Sequence, residues 1–242
     1  MTNCHINLKN CNFILQFEIK KGDVVNALCG TIQQERTFNF DKSMYGKYST
    51  IVVDPPWNQG KTGKRKVRPN QGTTLDYETL SKEELLQLPI NELGTENSFL
   101  FLWTTNSKDK KTGEPFLKTS FDLMEEWGYN FYTMITWDKK TGPCPFGPFQ
   151  IVTEYVLFGY KGKCTFKKDK LGFMKNIFSE SVSAHSVKPQ SFYDAIAEMT
   201  DGERLDIFAR QKRKGFDGWG NEYGKLDGDT YIAKKEIELK IA

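Results

Sequence analysis

The tetrapeptide at residues 54–57, Asp54-Pro55-Pro56-Trp57, combines residue types that could carry chemistry. It follows the short β-branched run 49–53, which is typical of a buried parallel strand. The prolines end that strand because they have no N–H to donate and a fixed φ. Ligands of open α/β sheets bind beyond the carboxyl ends of strands, so the tetrapeptide is a candidate site. A rigid turn with a capping aspartate and a surface tryptophan is the alternative.

Methylation of an exocyclic amine, such as N6 of adenine, is a reaction that needs these residue types. The lone pair of that nitrogen is delocalised into the ring, so the nitrogen must become pyramidal before it can attack. The Asp54 carboxylate and a backbone carbonyl stiffened by proline would accept its two hydrogens in fixed positions. The carboxylate would also stabilise the developing positive charge. The Trp57 ring could stack on the base, a contact worth about 1–3 kcal/mol.

The chain around this site alternates between predicted strands and helices. Besides residues 49–53, apolar or alternating runs predict strands at 13–19, 99–103, 129–137, 151–160 and 204–209. The capping-box pair Ser81 and Glu84 predicts the start of a short helix. A second helix is predicted to end at Gly128, and a third to begin with Pro189 at its N1 position. This alternation predicts an α/β domain with a mainly parallel central sheet.

Six blocks of the sequence carry a resemblance to a known family. They lie at residues 53–57, 99–103, 154–159, 185–189, 205–210 and 218–222. In that order they resemble the DPPW-type adenine-N6 methyltransferases, the relatives of the catalytic subunit of the eukaryotic mRNA N6-adenosine methyltransferase, which include bacterial and phage DNA methylases. The resemblance covers roughly residues 37–223. It implies a Rossmann-like S-adenosylmethionine-dependent methyltransferase fold, in which the catalytic block precedes most cofactor-binding blocks, so no G-x-G-x-x-G is expected before Asp54.

The resemblance also implies roles for the matching residues. Asp54 and the Pro55 carbonyl would hold the target N6, while Pro56 and Trp57 would shape the base pocket, with Tyr77 beside the base. Lys188 would pair with the carboxylate of the cofactor's methionine moiety. The other residues implied in cofactor binding are Asp54, Asp206, Phe208, Arg210, Asn221 and Glu222. The alternatives are a solvated Lys188, a solvent-facing Asp206 and a core Phe208.

The net charge of +3 conceals three basic segments. Residues 61–68 hold five positive charges and no acid, residues 161–175 have a net charge of +5, and residues 210–214 add four. Because each segment follows a predicted strand, we expect all three on the sheet edge that carries Asp54, as a surface that binds phosphates. The candidate substrate contacts there are Lys64, Arg65, Lys66 and Arg68. For any one run alone, a solvated loop is the alternative.

Composition argues against several other classes of protein. The two histidines and the five cysteines without a CxxC pair predict neither a metal site nor a disulfide framework. No run approaches the ~18 apolar residues of a membrane span, and the polar first residues are unlike a signal peptide. We therefore expect a cytoplasmic protein, encoded by a bacterium or phage. Its predicted organisation is an extension at 1–35, a methyltransferase domain at 36–225 and a tail at 226–242.

The function that these observations favour is site-specific methylation of adenine N6 in DNA, with S-adenosylmethionine as methyl donor. A duplex substrate would require the adenine to be flipped out. The alternatives are methylation of RNA adenosine and a non-catalytic nucleic-acid-binding partner of such an enzyme. A homodimer or a methyltransferase-like partner subunit is left open. The proline-rich segment 142–149 predicts an irregular loop, whose Phe146 and Phe149 are candidates for a dimer contact or a base wedge, with internal packing as the alternative.

Overall fold

A computed structural model describes the protein at residues 37–59, 78–140, 145–146, 148–163, 165–167, 169, 172, 174–181 and 187–227. All of these residues belong to the unit Arg36–Ala242. Several sequence predictions lie outside the described residues and stay predictions: the strand at 13–19, the basic segment 61–68 with Lys64, Arg65, Lys66 and Arg68, and Tyr77. The same holds for the domain boundary at 35/36 and for the tail beyond Asp227.

Within the described residues, seven strands form one mixed sheet that confirms the predicted α/β class. In chain order, nine strands are present: β1 (Tyr48–Val53), β2 (Gly94–Thr104), β3 (Asn130–Asp138), β4 (Pro145–Phe146), β5 (Phe149–Gln150), β6 (Thr153–Lys161), β7 (Ile177–Ser179), β8 (Glu203–Ile207) and β9 (Asp217–Trp219). The sheet has the order β7-β3-β6-β2-β1-β8-β9. β6 is antiparallel to β2 and β3, whereas the other pairings in the sheet are parallel.

The two remaining strands, β4 and β5, form a separate ribbon. The prediction of an irregular loop at 142–149 is therefore wrong for its described part. A proline is tolerated here because Pro145 is the first residue of a two-residue strand in a ribbon that has only edges. Phe149 is exposed, so the alternative of internal packing does not hold for that side chain.

Besides a 3₁₀ helix at Lys42–Met44, four α-helices are present among the described residues: α1 (Lys82–Leu86), α2 (Ile90–Leu93), α3 (Phe116–Glu126) and α4 (Gln190–Met199). The capping box is confirmed, because Ser81 Oγ accepts the Glu84 N–H and the Glu84 carboxylate accepts the Ser81 N–H. Gly128 ends α3 in the left-handed region at φ +78°, as predicted. Pro189 occupies the N-cap of α4 and not the predicted N1 position, so the helix begins one residue later than predicted, at Gln190. In the described part of the chain, no helix has the length and apolar character needed to cross a membrane.

Helices cover both faces of the sheet, which explains why its strands are continuous apolar runs. Along β1, Ile51 and Val53 belong to the core on the face covered by α1, α2 and α3. Val52 belongs to the core on the opposite face, together with Phe192 and Ile196 of α4. The core therefore fixes the middle of β1 on both faces. Asp54 directly follows the last residue of this strand, so its backbone position is fixed as well.

We call the edge where β1, β2 and β8 end the carboxyl edge, and the opposite one the amino edge. Since β6 is antiparallel, it begins at the carboxyl edge and ends at the amino edge, where Lys161 lies opposite Ser98 near the start of β2. Lys167 also lies at the amino edge, with its Nζ 3.2 Å from Asp201 ahead of β8. The prediction that segment 161–175 gathers beside Asp54 is therefore wrong for Lys161 and Lys167. The prediction fails because β6 runs antiparallel to β2, so the residues that follow β6 lie at the amino edge.

Candidate active site

The tetrapeptide at the end of β1 is held by backbone hydrogen bonds. The Asp54 N–H donates to the Ile207 carbonyl at 3.3 Å, which extends the pairing with β8 by one residue. The Trp57 N–H donates to the Pro55 carbonyl at 2.8 Å, and the Pro56 carbonyl accepts the Leu80 N–H at 3.1 Å. A carbonyl oxygen has two lone pairs, so the Pro55 carbonyl keeps one for a substrate.

The Trp57 ring is part of the core. It is 5% exposed, and its centroid lies 4.8 Å from that of Phe116, the first residue of α3. The alternative of a surface tryptophan is therefore wrong. The burial also differs from the expected use of this ring as a stacking surface for a base, because its neighbours are core side chains. The buried Trp57 ring therefore anchors the last residue of the tetrapeptide in the core.

A lysine lies between two carboxylates at the carboxyl edge. Lys188 Nζ is 3.1 Å from Asp54 Oδ1 and 3.0 Å from Glu154 Oε2, and it lies 4.9 Å from the centre of the Trp103 ring. Glu154 Oε1 is in turn 3.2 Å from Lys139 Nζ. The Lys188 side chain is only 13% exposed, so the alternative of a solvated lysine is wrong. Glu154 reaches this place because β6 begins at the carboxyl edge.

The protonation states in this cluster follow from burial and from the shared charges. Burial raises the pKa of Asp54, Lys188 opposes that rise, and Glu154 adds to it, so the pKa lies above the ordinary value. Burial would lower the pKa of Lys188, but Asp54 and Glu154 outweigh it and raise the pKa. Burial would raise the pKa of Glu154, but Lys188 and Lys139 hold it below the ordinary value. Lys188 therefore stays charged at neutral pH, and the pKa values of the two carboxylates shift in opposite directions from their ordinary values.

A shallow cleft opens beside Asp54, where β1 and β8 end. Five residues predicted from the sequence line it: Asp54, Lys188, Asp206, Phe208 and Arg210. Six others also line it: Val187, Tyr193, Ala209, Gln211, Arg213 and Leu226. Its carboxylates can accept hydrogen bonds from an ammonium group or from hydroxyls, and its cations can pair with a carboxylate. Such a donor set suits a zwitterionic ligand that also carries hydroxyl groups.

Asp206 forms the buried floor of the cleft on the β8 side. Its carboxylate accepts a hydrogen bond from the Tyr193 hydroxyl at 3.3 Å and lies 3.8 Å from Arg213 Nε. Burial raises the pKa of Asp206 to about 7, since the opposing effect of Arg213 is incomplete and Asp54 adds to the rise. The alternative of a solvent-facing strand residue is therefore wrong.

The backbone after β8 adopts an unusual conformation at Phe208. Its φ of +65° is in the left-handed region, which a bulky side chain rarely adopts. The turn is fixed by the Ala209 N–H, which donates to the Trp219 carbonyl at 3.1 Å. The half-buried Phe208 ring packs edge-on against Trp219 and also borders the cleft. Residues held in such conformations are frequent at ligand sites.

The two predicted residues after β9 do not line the cleft. Asn221 is exposed, and Glu222 pairs with Arg210, with Oε2 2.7 Å from Nε. The chain then returns across the cleft, where the Leu226 N–H donates to the Arg210 carbonyl at 2.9 Å. Glu222 thus contacts Arg210, which lines the cleft, and does not line the cleft itself.

Three residues that set the charges and hydrogen bonds of the site were not placed there from the sequence: Glu154, Tyr193 and Arg213. Glu154 begins one of the six blocks, but its role depends on the direction of β6, for which the block gives no signal. Arg213 belongs to a basic segment that suggested phosphate binding, whereas its guanidinium lies 3.7 Å from the centre of the Tyr193 ring and beside Asp206. Tyr193 had no signal apart from its place in the amphipathic helix α4.

Comparison with known proteins agrees with this geometry. The sequence model of the MT-A70 family matches residues 48–222. The chain is 30% identical over 192 residues to the Type II methyltransferase M.MunI of a Mycoplasma species, which covers 73% of this chain and 78% of that relative. It is 29% identical over 205 residues to the human N(6)-adenine-specific methyltransferase METTL4, across 78% of this chain and 40% of that relative. The N6-adenosine-methyltransferase non-catalytic subunit MTB of Arabidopsis thaliana is 29% identical over 124 residues, or 48% of this chain and 14% of that relative.

Proposed function

The chain belongs to the MT-A70 family of adenine-N6 methyltransferases, and we propose that it methylates adenine N6 in DNA at specific sites. The observation that carries the proposal is the Asp54 carboxylate at the end of β1, paired with the buried Lys188 and facing the cleft. The choice of DNA is supported by the likeness to the Type II methyltransferase M.MunI, of which this chain covers 78%. The cytoplasmic location and the homodimer or partner subunit stay predictions.

The geometry at Asp54 fits the requirements of an exocyclic amine. The carboxylate can accept one N6 hydrogen, and the free lone pair of the Pro55 carbonyl can accept the other. Both acceptors are fixed by the backbone hydrogen bonds of the tetrapeptide, so little reorganisation is needed as the nitrogen becomes pyramidal. The raised pKa of Asp54 suits the end of the reaction, when the methylated nitrogen releases a proton that the carboxylate can take.

S-adenosylmethionine is the methyl donor in this proposal, and it supplies an electrophilic methyl group when bound. The cleft residues fit this ligand because three cations and two carboxylates line the cleft. Lys188 and Arg213 would pair with its carboxylate, and Asp54 and Asp206 would accept from its ammonium and hydroxyl groups. The Phe208 ring would pack against its adenine. Asp54 would then contact both the cofactor and the target amine.

The substitution Asp54→Asn tests the proposal, because it keeps the size of the side chain and removes its charge. We expect transfer of labelled methyl groups to an adenine-containing DNA duplex to fall by about 10²–10³-fold, the usual effect of removing one preorganised electrostatic contact. Asp201→Asn is the matched control, since that side chain is 80% exposed at the amino edge and should leave the rate unchanged.

The same assay on DNA and RNA of one sequence separates the alternatives. Methyl transfer to RNA and not to DNA would show that RNA is the substrate. No transfer to either by the wild type would favour a non-catalytic role. Transfer by Asp54→Asn at the wild-type rate would contradict the assigned role of the carboxylate.

A further inference from the structure

Three lysines lie close together in the connection from β2 to α3, residues 105–115, which we call the lysine loop. Lys108, Lys110 and Lys111 are all exposed. The loop starts where β2 ends, so it leaves the sheet at the carboxyl edge, beside the tetrapeptide of β1. None of the three basic segments picked out from the sequence includes these lysines.

The lysine loop has a defined structure of its own. Asp109 Oδ1 accepts the backbone N–H groups of Lys111 and Thr112, each at 2.7 Å. The Asp109 N–H donates to the Glu114 carbonyl and the Gly113 N–H to the Asp109 carbonyl, both at 2.9 Å. Gly113 has a φ of +76°, a conformation that glycine adopts without a steric penalty. The one acid among the lysines is thus engaged in holding the turn.

The lysine loop is attached to the catalytic segment. The Lys110 N–H donates to the Asn58 carbonyl at 2.9 Å, and Gln59 pairs with Asp109 in an antiparallel bridge. Asn58 is four residues beyond Asp54, so the two Cα atoms are at most about 14 Å apart. Phosphates follow one another at about 3.4 Å along the axis of each DNA strand, so this distance corresponds to a few nucleotides.

Most other cations described at the carboxyl edge are already neutralised. Lys139 and Lys188 pair with Glu154, Lys140 pairs with Asp138, and Arg210 pairs with Glu222. In contrast, no ion pair joins Lys108, Lys110 or Lys111 to an acid within the described part of the chain. Their charges are therefore available to a ligand, and their fixed backbone lets them act together.

We propose that the lysine loop binds the backbone phosphates of the DNA that flank the target adenine. The inference rests on the proposed function, because it takes the Asp54 site as the place where the base enters. Lysine suits this role as a compact charge that needs no fixed hydrogen-bond geometry. Contacts to phosphate carry no sequence information, so the loop fixes the position of the strand and leaves the choice of sequence to other residues.

The triple variant Lys108→Ala, Lys110→Ala, Lys111→Ala tests the inference by fluorescence anisotropy with an adenine-containing DNA duplex. Each phosphate contact contributes about 0.9 to the slope of log K against log salt, so the slope should become shallower by roughly 2–3. The turn should persist, because it uses the backbone N–H groups of these residues and the side chain of Asp109. Circular dichroism and the melting temperature check that the fold is retained.

The matched control is Lys42→Ala, Lys163→Ala, Lys167→Ala, which removes the same charge from residues at or next to the amino edge. It should keep the wild-type slope. A second variant with arginine at 108, 110 and 111 should restore the slope, because it restores the charge. Equal slopes for the alanine triple and the control would overturn the inference, as would failure of the arginine variant to restore a slope that alanine had reduced.

The binding measurement is independent of catalysis. If the wild type transfers methyl groups to DNA and the alanine triple binds like the control, the lysine loop is excluded and the proposed function stands. If the wild type transfers none, the proposed function fails, and the comparison of slopes still decides the role of the loop. Binding to RNA in place of DNA, with the slope reduced in the alanine triple, would overturn the assignment to DNA.

Discussion

At the scale of single residues, the candidate active site is built around one ammonium group that is shared by two carboxylates. Burying charges is costly unless they are paired and hydrogen-bonded. Lys188 pairs with both Asp54 and Glu154, and Lys139 supplies a second positive charge to Glu154 alone. The compensation is therefore uneven: the pKa of Asp54 is raised from its ordinary value, and that of Glu154 is lowered. Different environments around two neighbouring carboxylates are a common way to give them different roles.

The pH dependence of methyl transfer should report this uneven pairing. In the proposed reaction Asp54 acts as a carboxylate, so the rate should fall as the pH drops through its pKa, which burial raises from the ordinary value. In Glu154→Gln, the charge that helps to raise this pKa is gone and Lys188 pairs with Asp54 alone. We therefore expect the acid limb of the single-turnover rate to move to lower pH, measured with labelled cofactor.

Glu203→Gln is the matched control for that profile, because Glu203 is exposed at the start of β8 on the amino edge. Its acid limb should coincide with that of the wild type. A purely structural role of Glu154 would lower the rate at every pH without moving the limb. A limb that stays in place, or moves to higher pH, would contradict the proposed effect of Glu154 on Asp54.

At the scale of elements, the sequence predicted the features that neighbouring residues determine, such as the ends of helices. The capping box at Ser81 and the stop at Gly128 follow from short patterns, because a helix end is satisfied by residues within one turn. The direction of β6 was not predictable, since an apolar run has the same pattern in both directions. That direction decides that Glu154 reaches Asp54 and that Lys161 does not. β7 and β9 have three residues each, too few to give a periodic signal.

Helix α3 contacts the tetrapeptide at residues 54–57 through an aromatic pair. Phe116, at its first turn, is 3% exposed and packs against Trp57. Phe116→Ala would leave a cavity under the tetrapeptide and should lower the free energy of unfolding by about 3–5 kcal/mol. Urea denaturation followed by circular dichroism measures this change. Methyl transfer should fall as well, because the Trp57 N–H helps to fix the Pro55 carbonyl.

Phe121→Ala makes the same chemical change on the outer face of α3 and serves as its control. Phe121 is 39% exposed and contacts Phe131 edge-on. Its removal should cost about 1 kcal/mol or less and should leave methyl transfer unchanged. Similar losses for the two variants would show that α3 stabilises the fold as a whole and has no special relation to the tetrapeptide.

At the scale of the whole molecule, charge is organised by position on the sheet more than by sequence segment. The sequence predicted one basic surface from three segments, but Lys161 and Lys167 lie at the amino edge and Arg213 pairs with Asp206. A count along the chain cannot show which cations are paired, since the acids come from distant strands. The lysine loop has a smaller charge excess than those segments, but its three exposed lysines remain open to phosphates.

Asp206 couples the stability of the whole fold to pH. Its pKa of about 7 in the folded protein lies above the ordinary value of 3.8, so the folded state keeps the proton where the unfolded state has lost it. Between about pH 4 and pH 7, stability therefore falls as the pH rises. Below that window the effect is absent, and above it the full penalty, on the order of 4 kcal/mol, is constant.

Asp206→Asn removes this titration while keeping the shape of the side chain. Relative to the variant, the wild type should lose stability steadily from pH 4.5 to pH 7 and then run parallel to it up to pH 8.5. Urea denaturation at a series of pH values measures the difference, with Asp201→Asn as the control at an exposed site. The absolute stability of Asp206→Asn also reflects the loss of a charged partner for Arg213, so the pH dependence of the difference is the diagnostic quantity. A difference that does not change between pH 4.5 and pH 7 would mean that Asp206 is already ionised across this range, and that Arg213 compensates its burial in full.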